Sequence, residues 1–228
     1  MLDVHPPHKR LRDVGEFFLH LFAITVGLLI AVQIESCVEW RTHKHIAAEA
    51  REALHKEIAS NLTALRGAEL GLKQWKAQVN DSIAALQRVI DHPNDPAAQP
   101  HHLFAGCSGI TLDNTAWKTA QSTGALDYMP YEEASVYVNI YQAQEHLLSA
   151  EVSPCDDAAA ILGIMAQYHV DAKGTKTTKE EAAAMANKLG EMKFHLGFGS
   201  AILDENVELN AAFVEGRKPR SDFTADFQ

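Results

Sequence analysis

Residues 17–34 read FFLHLFAITVGLLIAVQI: eighteen residues without a formal charge, bounded by Glu16 and Glu35. A helix rises about 1.5 Å per residue, so this run covers roughly 27 Å, close to the hydrocarbon thickness of a bilayer. One such segment near the start, followed by a long polar remainder, predicts a bitopic protein with residues 14–36 as its transmembrane helix. Residues 1–13, with Pro6-Pro7 and two His, form a short N-terminal tail.

Basic residues suggest an orientation. Lys9, Arg10 and Arg12 precede the segment, and Arg41 and Lys44 follow it. Three against two favours a cytoplasmic N-terminus and a main domain in the periplasm, on an inner (plasma) membrane. No Ala-x-Ala site directly follows, and the apolar run exceeds that of a cleaved signal peptide. Ile34-Glu35-Ser36-Cys37 approaches a lipoprotein cleavage box, but Glu35 does not fit it, so the expectation is an uncleaved anchor.

The anchor has a face. Glu16, His20, Ala23, Gly27, Ala31 and Glu35 recur at steps of three or four. Ala23, Gly27 and Ala31 form a small-residue ridge of the kind that lets two helices approach closely. Phe18, Leu21, Phe22, Leu28, Leu29 and Val32 suit lipid. His20 lies on the ridge side, where it meets headgroup water, bonds across a helix pair, or ligates a cofactor such as haem. His20, Ala23, Gly27 and Ala31 are therefore the candidate helix interface.

No Pro occurs from Ser36 to Ile90, while Ile58, Leu65, Leu72, Val79 and Leu86 recur every seven residues. This predicts one long juxtamembrane helix, 37–91, with a narrow apolar seam, serving a bundle or a coiled coil with a second copy. Gly67 and Gly71 weaken it by about 1 kcal/mol each against Ala and suggest a bend or break. Residues 92–112, with three Pro, read as a loop. A helical bundle is expected over 113–215. Asp113 would cap a short helix ended by Gly124, and Pro130 would open the next, to about Ala150. Pro154 would begin a further helix to about Val170, then a turn at 171–177. Thr178 with Glu181 makes a capping box for a last helix to about Glu215, interrupted at Gly190, Gly197 and Gly199. Residues 216–228 form a polar C-terminal tail. The fold class is thus all-α: a transmembrane helix continuing into a long helix that packs with a periplasmic bundle.

A net charge of −10 and a pI near 5.6 argue against nucleic acid, which demands clustered Lys and Arg. Twelve His invite a metal hypothesis. Glu39, His43, His45, Glu49, Glu52 and His55 follow the membrane segment, and Glu52 and His55 have the Glu-x-x-His spacing of di-iron bundles. Such a site needs two copies of that motif, and there is no second. His43 or His45 with His101 and His102 could serve Zn or Cu, but a charged helix laced with same-face pairs is the simpler account. Trp40 fits the interfacial belt. In an oxidising compartment Cys107 and Cys155 make a candidate disulfide, leaving Cys37 at the membrane edge, cross-linked or lipidated. Gly106-Cys-Ser-Gly109 lacks the nucleophile-elbow pattern. Tyr128, Tyr131, Tyr137 and Tyr141 read as packing. Neither a catalytic nor a cofactor-binding or metal constellation emerges, so the chain does not read as an enzyme.

Ile24 to Ala31, Glu39-Trp40, the His43 to His45 patch and Glu57-Ile58-Ala-Ser-Asn61-Leu62 resemble a group of uncharacterised bacterial single-pass membrane proteins. Ala116-Trp117, Thr123-Gly124-Ala125-Leu126 and Met129-Pro130 are similar to the same group. The resemblance covers about a third of the chain. It implies a membrane helix and a helical domain, and it carries no catalytic residues over. The expected function is an accessory or structural subunit of an inner-membrane complex in a Gram-negative bacterium. Its partners would be the lipid bilayer and other membrane-protein subunits, or itself through the transmembrane helix. The alternative is a membrane-tethered sensor or metal-binding protein using the His-rich helix.

Overall fold

A computed structural model describes residues 14–104, 106–167 and 176–220. The expected N-terminal tail, most of the turn at 171–177 and residues 221–228 lie outside the described residues. The described chain is all-α: α1 (Val14–Asp91), α2 (Thr115–Ser122), α3 (Tyr131–Ala150), α4 (Val152–Gln167) and α5 (Lys179–Val214). Short 3-10 turns, Pro96–Ala98 and Ala125–Tyr128, punctuate the connections. Two compact units divide the chain, Met1–Glu49 and Ala50–Gln228.

In the first unit, α1 is apolar and outward-facing. Phe18, Leu21, Phe22, Leu28 and Leu29 are all exposed. This helix is long and apolar enough to cross a membrane, and none of its most apolar window is buried. Thr25 returns its hydroxyl to the Leu21 carbonyl at 2.8 Å, and Ser36 does the same to Val32 at 2.9 Å. Such back-bonding hides hydroxyls that would otherwise face an apolar medium unpaired.

In the second unit the seven-residue seam is the core. Ile58, Leu65, Val79 and Leu86 are fully buried, and Leu72 is half-buried. Val79, Leu86 and Val89 pack with Ile161 and Met165 of α4 and with Met185, Leu189, Met192 and Leu196 of α5. Leu65 meets Leu147 of α3 and Ile202 and Leu203 of α5. α1 runs through Gly67 and Gly71 without a break, and α5 through Gly190, Gly197 and Gly199. The expected interruptions do not occur: burial of a leucine-sized side chain, at about 1.5–3 kcal/mol, outweighs the helix penalty of a glycine, at about 1 kcal/mol.

Helix ends largely follow local chemistry, although α4 begins at Val152, two residues before the expected Pro154, which sits in its first turn. Thr178 and Glu181 form the complete capping box of α5. Pro130 sits just before α3, its φ of −55° already helix-like. Gly124 turns the chain after α2 at φ +68°. The start of α2 departs further. Asn114, not Asp113, is the N-cap, and it makes no side-chain cap. The acceptor comes from α1 instead, as described below.

Candidate functional site

The four anchor residues singled out from sequence, His20, Ala23, Gly27 and Ala31, are all exposed along α1. A Cβ added at Gly27 meets nothing within 4 Å. The small-residue ridge is therefore open to a neighbour. Trp40 is exposed and carries the Lys44 ammonium 3.9 Å from its ring centroid. Cys37 is exposed and free.

The histidines after the anchor disperse. His45 pairs with Glu49 at 3.2 Å, Glu52 with Lys56 at 2.6 Å, and His55 leans on the Phe213 ring with centroids 5.6 Å apart. His101 and His102 are exposed in the loop. Among the described residues no group of three or more His, Cys, Asp or Glu is placed to hold a metal ion.

Polar side chains cross the interior of the second unit at one level. Glu57, buried on α1, accepts from the backbone N–H groups of Ala116 at 2.7 Å and Trp117 at 3.2 Å, and from the Tyr141 hydroxyl at 2.6 Å. A carboxylate at a helix N-terminus meets both the unpaired amides and the positive end of the helix dipole. One turn on, Asn61 donates to the Asp113 carbonyl at 2.8 Å and accepts from the Asp113 N–H at 2.9 Å. Asn61 also donates to Gln144 at 3.2 Å, and Gln144 donates to Asn210 at 2.9 Å. Trp117 stacks on Tyr141 with centroids 4.8 Å apart and planes 8° from parallel. Burial, then the Glu57 carboxylate, pushes the Tyr141 hydroxyl far above its ordinary range, so it stays a donor. The stretch Glu57 to Leu62, with Ala116-Trp117, is thus a docking device that fixes α2 to α1 and α3.

Below this level lies a cavity of about 420 Å³. α1 contributes Gly67, Gly71, Leu72 and Trp75, and α5 contributes His195, Leu196, Gly199 and Leu203. Phe104, the segment Gly106 to Ile110 and the α3–α4 junction, with Leu147 and Glu151, complete the wall. Two links tie that segment to the junction. Cys107 is bonded to Cys155, with Cα atoms 5.1 Å apart. The Ile110 N–H donates to both Glu151 carboxylate oxygens, at 3.2 and 3.0 Å. Burial pushes the Glu151 carboxyl above its ordinary range, partly offset by that hydrogen bond. Trp75 and Phe104 meet edge to face, centroids 6.0 Å apart, and the Trp75 indole N–H is buried without a hydrogen-bond partner. His195 donates from Nδ1 to the buried Asp157 at 2.5 Å, and Lys188 approaches the other Asp157 oxygen at 3.9 Å.

Sequence reasoning missed Glu151, Asp157 and His195. They come from three helical segments and share no local spacing. Gly67 and Gly71 carried a signal, but they mark open space beside the helix rather than a bend in it. Residues 217–220, taken as loose tail, are held. Gly216 turns the chain at φ +66°, and Arg217 and Arg220 both bond the buried Glu208.

Comparison with protein-family models, with curated proteins and with solved structures finds no match for this chain.

Proposed function

We propose that this protein is a single-pass membrane-anchored accessory or structural subunit of an inner-membrane complex. The anchor is the transmembrane helix 14–36, with residues 17–34 as its uncharged stretch. The helical domain stands on the periplasmic side. The observation that carries this reading is an eighteen-residue stretch, free of formal charge, whose large apolar side chains are all exposed except the half-buried Val26. A core helix buries such side chains, whereas a membrane helix gives them to lipid or to another helix. The ridge of Ala23, Gly27 and Ala31, with His20 beside it, supplies the helix contact. The Cys107–Cys155 bond supports a periplasmic domain, because disulfides persist in oxidising compartments.

The experiment is purification of the intact protein from native membranes in mild detergent, with identification of what accompanies it. A stoichiometric companion that is lost in Gly27→Leu is the expected result. Recovery alone, unchanged by Gly27→Leu, contradicts the proposal. The same preparation addresses the alternative of a metal-binding sensor: stoichiometric Zn, Cu or Fe, lost on mutating His43 and His45, would establish that role instead.

A further inference from the structure

The cavity in the second unit has the properties of a ligand site. Its volume, about 420 Å³, lies in the roughly 300–1,000 Å³ range of small-molecule pockets. Its wall is mostly hydrocarbon and aromatic, with Gln74, Gln78, Ser108, Glu151 and His195 as its polar side chains. Three of its wall positions are helical glycines, Gly67, Gly71 and Gly199, and a Cβ added at any of them meets nothing within 4 Å. Helices α1 and α5 thus leave open space at these three wall positions. Gly67 and Gly71 are exposed, so the cavity reaches solvent on that side.

Its charge is one-sided. Glu151 is the single carboxylate among the described lining residues. Among the described residues its only hydrogen-bond donor is the Ile110 N–H, and none of their Lys, Arg or His nitrogens forms an ion pair with it within 4 Å. The neighbouring His195 is committed to Asp157 through Nδ1. A half-buried carboxylate without a countercharge is costly, and its raised proton affinity expresses that cost. Trp75 and Phe104 add aromatic rings, whose faces attract cations.

We propose that this cavity binds a small organic cation, an amine or quaternary ammonium with an apolar body. Glu151 supplies the countercharge, and the walls around Trp75, Phe104 and Leu196 receive the body. This site does not depend on what the anchor binds.

The test is calorimetric titration of the intact protein in lipid nanodiscs, with empty nanodiscs subtracted. The probes are benzyltrimethylammonium, 4-phenylbutanoate and 4-phenylbutan-1-ol. Saturable one-to-one binding of the cation is expected, at least tenfold tighter than that of the anion. Glu151→Gln keeps an acceptor for Ile110 and should weaken cation binding at least tenfold, leaving the alcohol unchanged. Gly71→Leu should abolish binding of cation and alcohol alike while the melting temperature holds or rises, which separates a filled site from a damaged fold. No saturable binding, equal affinity for cation and anion, or an unaffected Glu151→Gln variant would each overturn the proposal.

Discussion

The two halves of α1 share one helix and obey different rules. Residues 17–34 are apolar and, but for the half-buried Val26, exposed, whereas residues 54–89 concentrate their apolar groups in a seam that is buried. Leu28 and Leu29 stand 63% and 59% exposed, while Leu65 and Leu86 are at 0%. What separates them is the arrangement of the residues between the leucines. Where those are polar, the leucines turn inward to protein. Where those are apolar too, the leucines stay exposed on a helix long and apolar enough to cross a membrane.

Breaking the domain while sparing the anchor should give the largest effect. The Cys107–Cys155 link closes a separation of 48 residues, for which loop entropy gives about 4 kcal/mol. Replacing both Cys by Ser should lower domain stability by about that amount in urea unfolding, with membrane retention unchanged. Next comes the seam itself. Leu86→Ala should cost about 3 kcal/mol, whereas Leu28→Ala should leave domain unfolding unaltered. Glu57→Ala strips acceptors from two backbone N–H groups and the Tyr141 hydroxyl, and should cost about 2 kcal/mol. Hydrogen exchange at Ala116 and Trp117 should accelerate first.

A smaller effect separates the halves by pH. Hydrogen bonds from Arg217, then from Arg220, hold the Glu208 carboxyl well below its ordinary range. A depressed carboxyl contributes stability that is present above its unfolded pKa and lost as pH falls through the folded value. An Arg217→Ala/Arg220→Ala variant should therefore be less stable at neutral pH and should lose part of the acid-dependent decline in melting temperature. The smallest change is a gain. Gly67→Ala meets no neighbour and should stabilise the domain by up to about 1 kcal/mol.

The contrast within α1 was legible in sequence, because it depends only on local periodicity. So were the capping box at Thr178 and Glu181 and the start of α3 after Pro130, since caps are local chemistry. The start of α2 was not. Its acceptor, Glu57, lies 59 residues before Ala116, and no nearest-neighbour rule connects them. Gly67, Gly71, Gly190, Gly197 and Gly199 misled for a related reason: helix propensity is a local cost, and the packing that overrides it is not local. Glu151, Asp157 and His195 were invisible as a group, since their proximity exists only once α3, α4 and α5 have packed.

The most direct test of the central claim is alkaline carbonate extraction of native membranes, comparing the intact chain with a Leu28→Arg/Leu29→Arg variant. The intact chain should stay with the membrane pellet. The variant should pass into the supernatant with the melting temperature of its helical domain unchanged. Release of the intact chain, or equal loss of domain stability in the variant, would contradict an anchor that serves the bilayer rather than the domain.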